Sequence, residues 1–262
     1  MQSSRRAFHR RGAVIGHATW NAALGVVKVL PVLPVLTELS KSADLAIGGR
    51  AHFVRRTAFP FSDARSLLVT IDFRRGRWLN EPVNAQVTEH SLTMTTDAKT
   101  DFWRETHYGF TRDTGHFLGV PTADGFTAEI RVQGEFRTLY DQAGLMVRID
   151  ETRWVKTGVE FTDGEAFLST VVTDGRSDWS VSQPFKQLDD FYMRVTLSNG
   201  AMRIQASRDR SYWPLLRLAS FPIAETYEVG PTACTPERSG LSVHFSEFTI
   251  GPATTKDLHD LS

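Results

Sequence analysis

From residue 85 to residue 250, apolar and polar side chains alternate in short runs with period two. Phe126, Ala128, Ile130 and Val132 fall on one face of such a run, with Thr127, Glu129 and Arg131 on the other. Leu145, Val147 and Ile149 share a face opposite Met146, Arg148 and Asp150. Val155, Thr157, Val159 and Phe161 oppose Lys156, Gly158 and Glu160. Stretches 86–96, 168–173, 191–197, 202–207 and 241–250 continue the series. Successive Cβ atoms of a strand point to opposite faces, so this pattern predicts half-buried antiparallel strands.

The punctuation between runs agrees. Ala123-Asp124-Gly125, Thr162-Asp163-Gly164, Thr173-Asp174-Gly175 and Ser198-Asn199-Gly200 supply the positive φ angles that tight hairpins need. No convincing helix of ten or more residues and no fixed-period repeat is visible in this region. Many short strands at regular spacing predict an all-β sandwich or barrel.

Residues 1–68 read differently: basic, then apolar, then basic again. Three readings stay open. Ser4-Arg5-Arg6-Ala7-Phe8 resembles a twin-arginine export motif, followed by an apolar stretch over 13–36 and the small residues Ser42-Ala43. His17, Trp20, Asn21, Lys28, Pro31 and Pro34 interrupt that stretch, which speaks against a clean signal and against a membrane-spanning helix. Alternatively the start is mis-assigned, and Val69, opening Val69-Thr70-Ile71-Asp72-Phe73, is the initiator. The third reading is a weakly ordered extension with an amphipathic helix around 19–30. The expected organisation is therefore a poorly ordered extension over 1–68, a β domain over 69–252 and a tail over 253–262.

Composition changes this picture little, since 41% hydrophobic and 23% charged residues are ordinary for a globular chain. The net charge of zero hides an asymmetry: residues 1–66 hold ten bases and three acids, leaving the remainder at −7. A mildly acidic body argues against a nucleic-acid partner. Cys234 is the lone cysteine, so no internal disulfide can form. That predicts a reducing, cytoplasmic setting, with export as the alternative if the Arg5-Arg6 segment is a signal. Cys234 reads as a small buried hydrophobe. His116 and His244 are isolated and read as structural. No Gly-rich phosphate loop, Cys/His metal cluster, calcium loop or Gly-x-Ser-x-Gly elbow is present, so no cofactor is expected.

The longest distinctive motifs lie between residues 78 and 180. They are Trp78-Leu79-Asn80-Glu81-Pro82 and Thr100-Asp101-Phe102-Trp103-Arg104-Glu105-Thr106-His107-Tyr108-Gly109-Phe110, then 140–150, Trp154–Phe161 and Ser177-Asp178-Trp179-Ser180. The run resembles domain-of-unknown-function family 1349, over roughly Thr70 to Pro252. The resemblance implies a two-sheet antiparallel β-sandwich, a concanavalin A-like jelly roll, with a groove on one sheet. It implies no established reaction. The name of the yeast member, regulation of enolase protein, implies a role touching a metabolic enzyme such as enolase.

The motif positions give eight candidate groove residues: Trp103, His107, Tyr108, Gln142, Arg148, Lys156, Glu160 and Trp179. Aromatic faces stack on sugar rings, and Arg, Lys, Glu and Gln hydrogen-bond hydroxyls, so the expected ligand is a small carbohydrate or sugar phosphate. Arg148, Lys156 and Glu160 are expected to be near neighbours on adjacent strands. The plain alternatives are a cross-strand Arg148–Glu160 ion pair, a solvated Lys156, core tryptophans, and Asp141 as a turn cap. Whether the protein is an enzyme stays open. Glycosidases of this fold place paired carboxylates on one strand, and no Glu-x-Asp-x-Glu triplet occurs; Glu160 could find Asp101 or Asp141 only through the fold.

Overall fold

The computed structural model describes residues 68–184 and 188–262. The readings made on residues 1–67 lie outside the described residues. Among the described residues, seventeen strands and one short 3-10 turn, Phe73–Arg75, make up the regular structure. The early strands are β1 (Val69–Thr70), β2 (Arg77–Leu79), β3 (Asn84–Val87), β4 (Ser91–Thr95), β5 (Phe102–Arg104) and β6 (Thr111–Asp113). Longer strands follow: β7 (His116–Ala123), β8 (Phe126–Gly134), β9 (Gln142–Arg148), β10 (Arg153–Thr162), β11 (Glu165–Asp174) and β12 (Arg176–Pro184). The last are β13 (Asp190–Ser198), β14 (Ala201–Ser207), β15 (Leu215–Ser220), β16 (Thr226–Cys234) and β17 (Ser242–Pro252).

Two antiparallel sheets form a sandwich. One has the order β15-β14-β13-β8-β17-β4-β3, with β1 pairing onto β17; the other has the order β12-β11-β10-β9-β16-β7-β2. The predicted alternation decides what lies between them. Phe126, Ala128, Ile130 and Val132 of β8 face inward, as do Leu145 and Val147 of β9 and Val155 and Val159 of β10, all buried in one core. Burying a side chain of this size contributes roughly 1.5–3 kcal/mol, so this core dominates the stability. The hairpin turns use their predicted chemistry. Asp163 and Gly164 have φ of 52° and 82°, and Asn199 and Gly200 have 51° and 75°. Each pair joins two adjacent long strands with the twist of a two-residue turn.

Two irregularities matter. Between Ser246 and Thr249 the register of β17 against β8 shifts, and Glu247 takes a φ of 50°. The bulge turns Glu247 outward, where it accepts bonds from Arg131, Tyr192 and Arg210. The second is the pair Gly144 and Gly158, opposite each other on β9 and β10. A Cβ on Gly144 would lie 2.0 Å from the Thr157 carbonyl oxygen, and one on Gly158 would lie 2.1 Å from that of Ala143. The backbones therefore approach where only glycine fits. The outcome is a patch of sheet without side chains, flanked on β10 by Lys156 and Glu160.

Candidate functional site

The outer face of the seven-stranded sheet carries a second, smaller core. The β5–β6 ribbon lies across it, and Phe102, Trp103, Phe117, Met146, Trp154 and Val171 bury one another there. Arg148 fastens the ribbon. Its Nη1 donates to Asp113 Oδ1 at 2.9 Å and its Nη2 to Oδ2 at 2.7 Å, a bidentate pair. Arg104 adds a backbone donation to Ser177 Oγ at 2.9 Å and a side-chain donation to the Gly175 carbonyl at 3.0 Å.

Between the ribbon and the sheet lies a cleft of about 680 Å³, counting its open mouth, which is in the range of small-molecule sites. It is lined by Trp103, Tyr108, Phe110 and Arg112 from the ribbon, and by Gln142, Lys156, Glu160, Val171 and Trp179 from the sheet. Asp101, Tyr140, Pro236 and Glu237 complete it from connecting segments. Six of the eight sequence candidates thus converge: Trp103, Tyr108, Gln142, Lys156, Glu160 and Trp179.

Two candidates do not line it. His107 sits exposed at the tip of the ribbon with a φ of 64°, its ring 4.8 Å from Tyr108 in an edge contact. Arg148 is buried in its pair with Asp113. The expected Arg148–Glu160 neighbourhood is not formed, for a reason of register. Arg148 stands opposite Trp154, while Glu160 stands opposite Gln142, at the other end of the same strand pair. Six residues of strand separate them, roughly 20 Å at about 3.3 Å per residue.

The cleft floor is electrostatically specific. Lys156 Nζ donates to Asp101 Oδ1 at 3.1 Å, and both side chains are almost wholly buried. Burial alone would push the Lys156 ammonium down. The adjacent Asp101 carboxylate outweighs it and holds the pKa above the ordinary lysine value. Cys234 Sγ lies 4.0 Å from that nitrogen. Burial pushes its thiol up to about 12, which leaves it a neutral, inert group.

Glu160 is 4% exposed. Its Oε2 accepts from Ser169 Oγ at 2.7 Å and from Trp179 Nε1 at 3.1 Å, while Oε1 has no hydrogen-bond partner among the described residues. Burial raises its pKa, against the opposing pull of Lys156 and of the two donors. The Tyr140 hydroxyl interacts with that of Tyr108, which with burial raises its pKa to about 12.

The remaining sequence readings fall out structurally. Asp141 is fully buried and accepts from the Arg137 and Thr138 backbone and from Arg238, so it caps a turn and binds an arginine. His116 donates from Nδ1 to the Asn80 carbonyl at 2.6 Å and accepts from the Asp97 backbone at 3.0 Å through Nε2, as a satisfied core histidine. Trp154, which opens one of the family-like motifs, is fully buried, its ring 5.9 Å from that of Phe102 between centres. Phe110, Arg112, Tyr140, Pro236 and Glu237 were not singled out from sequence. Phe110 ends the motif that carries Trp103, and Arg112 follows it by two residues; the others come from loops with no periodic signal. Among the described residues, no group of three or more His, Cys, Asp or Glu is placed to hold a metal, and no helix is long and apolar enough to cross a membrane.

A two-sheet concanavalin A-like sandwich with a ribbon-covered cleft on one outer face is the class that this fold and site define. Within it, the chain belongs to the family described as protein of unknown function DUF1349, whose model matches residues 78–253. It is 54% identical over 191 residues to regulation of enolase protein 1 of Saccharomyces cerevisiae, covering 73% of this chain and 96% of that one. A crystal structure described as a functionally unknown protein from Saccharomyces cerevisiae superposes with a TM-score of 0.69 at 54% identity, over 70% of this chain and 99% of the other. A mutant of the GH43 protein BlXynB from Bacillus licheniformis superposes with a TM-score of 0.52 at 10% identity, over 70% of this chain and 39% of the other. At that identity the likeness is one of fold alone.

Proposed function

We propose that the protein binds a small carbohydrate in the cleft between the β5–β6 ribbon and the sheet. The observation that carries this reading is the meeting of four aromatic walls, Trp103, Tyr108, Phe110 and Trp179, over a floor holding Gln142, Lys156 and Glu160. Sugar rings present apolar CH faces to such walls and hydroxyls to such a floor. Ser169 and Trp179 fix one oxygen of Glu160 and leave the other for a ligand, so the acceptor is oriented before binding. The lone, buried cysteine supports a reducing, cytoplasmic setting.

The test is a thermal-shift screen of the full chain against mono- and oligosaccharides and sugar phosphates. A ligand of the cleft raises Tm in the parent by linkage and fails to do so in Trp179→Ala. If no compound shifts the parent, the carbohydrate reading fails.

A second reading is supported by the setting of Glu160, a buried carboxyl that lines the cleft. Burial raises its pKa, against the pull of Lys156, Ser169 and Trp179, and an upward shift is the direction that a general acid needs, so the cleft also suits a glycoside hydrolase-like enzyme. Turnover lost in Glu160→Gln with binding retained establishes it; turnover unaffected by that change removes it. The name of the yeast relative brings in a metabolic enzyme, enolase, as a partner, and co-elution of the two purified proteins checks it.

A further inference from the structure

The proposed carbohydrate site is asymmetric in its charge, and this selects among sugars. Three acids line it, Asp101, Glu160 and Glu237, against two bases, Lys156 and Arg112. The bases are not equally available. The Lys156 ammonium is committed to Asp101 at 3.1 Å on the floor. Arg112 lies on the ribbon with its guanidinium stacked over Phe110 at 4.6 Å from the ring centre, and no carboxylate of the described residues is in ion-pair range. The floor therefore offers one already neutralised ammonium beside a carboxyl with an open oxygen.

A phosphate monoester placed on that floor would lose its hydration in contact with two carboxyl groups and gain no uncommitted cation there, because Arg112, the lining base without a carboxylate partner, is held on the ribbon against Phe110. A hydroxyl both donates and accepts. Adjacent hydroxyls of one ring can accept from the remaining Lys156 donors and give a proton to Glu160 Oε1, satisfying both without new charge. Gly158 is the only β10 residue between them that shares their face, so no side chain of that strand stands between Lys156 and Glu160. On this basis, and resting on the carbohydrate reading above, we infer that the cleft takes an uncharged sugar, hydroxyl edge down between Lys156 and Glu160, and rejects its phosphate ester.

The test uses the full chain in isothermal titration at neutral pH. The probes are glucose, galactose, mannose and xylose, each paired with a phosphate monoester of the same sugar, and binding is repeated with Glu160→Gln. The inference expects at least one free sugar to bind, and its phosphate ester to bind at least tenfold more weakly. It also expects Glu160→Gln to narrow that gap, because the variant removes a negative group from the floor while keeping its shape. Circular dichroism on the variant checks that it is folded. A phosphate ester that binds as well as or better than its free sugar overturns the inference and leaves the carbohydrate reading standing. A gap that stays the same in Glu160→Gln overturns the assignment of the discrimination to the floor. No heat from any free sugar or ester overturns both.

Discussion

At the scale of single residues, the buried charges are where this protein is most exposed to mutation. Lys156 and Asp101 neutralise each other in a site that water scarcely reaches, and Asp101 Oδ1 also accepts from the Phe102 backbone at 2.8 Å. Asp101→Asn keeps the shape and leaves the ammonium without a counter-charge. Removing one partner of a buried pair costs about 3–5 kcal/mol, so urea unfolding of this variant should show a loss of that order. Glu160 makes a prediction of opposite sign. Burial raises its pKa above that of the unfolded chain, so the folded state holds the proton more tightly. Stability from this group is greatest in acid. It falls as pH rises from the unfolded carboxylate value, about 4.3, to the folded value, and is then level. Glu160→Gln removes that dependence. The unfolding free energy of the variant relative to the parent should therefore climb between mildly acidic and neutral pH. A difference that stays flat across that window would mean that Glu160 titrates as it does in the unfolded chain.

The ribbon of β5 and β6 is the element that turns a sheet face into a site. Two three-residue strands cannot hold themselves together in water; the ribbon depends on its small core and on the Arg148–Asp113 pair. Arg148→Met should cost about 2 kcal/mol, since Asp113 keeps 29% of its side chain in water and can be rehydrated. Its diagnostic effect is local. Amide exchange should accelerate over residues 101–114 while β9 and β10 keep their protection, and ligand affinity should drop although Arg148 touches no ligand. Equal loss of protection in both regions would make the ribbon part of the main cooperative unit. The same element marks where sequence reasoning stops. The long strands were legible because their two faces meet different solvents, which writes period two into the chain. Trp103, Trp179 and Glu160 were picked out by the motifs that carry them and not by periodicity. The ribbon strands are too short to show a period. Arg148 finds Asp113 35 residues away, and Lys156 finds Asp101 55 residues away. Neighbouring strands share a face, but only register says which positions meet, and that is why Arg148 and Glu160 were expected together and stand apart.

At the scale of the whole molecule, the two outer faces of the sandwich are closed in different ways. One carries the ribbon and the cleft. The other is covered by the 208–214 connection and the residues after Pro252. There Arg194 stacks over Trp213 at 3.7 Å and pairs with the buried Glu129 at 2.7 Å. Arg203 donates to the carbonyls of Lys256, Asp257 and Asp260 at 3.2, 3.1 and 2.9 Å. The Trp213 backbone donates to the Leu261 carbonyl at 2.7 Å, and the Thr254 backbone to Thr127 Oγ1 at 2.9 Å. Residues 253–262 thus accept from both terminal nitrogens of an arginine that is 7% exposed and has no ion-paired carboxylate among the described residues. Removing them rehydrates that guanidinium and uncovers the edge of Trp213, while returning the conformational freedom of ten residues. The balance favours the intact chain by roughly 2 kcal/mol, about 4–8 °C in Tm for a domain of this size. Deletion of 253–262 should lower Tm by that amount and leave the proposed sugar binding at the opposite face unchanged. An unchanged Tm would show that water replaces these residues without penalty. A loss of binding at matched folded fraction would show that the two faces communicate through the sandwich.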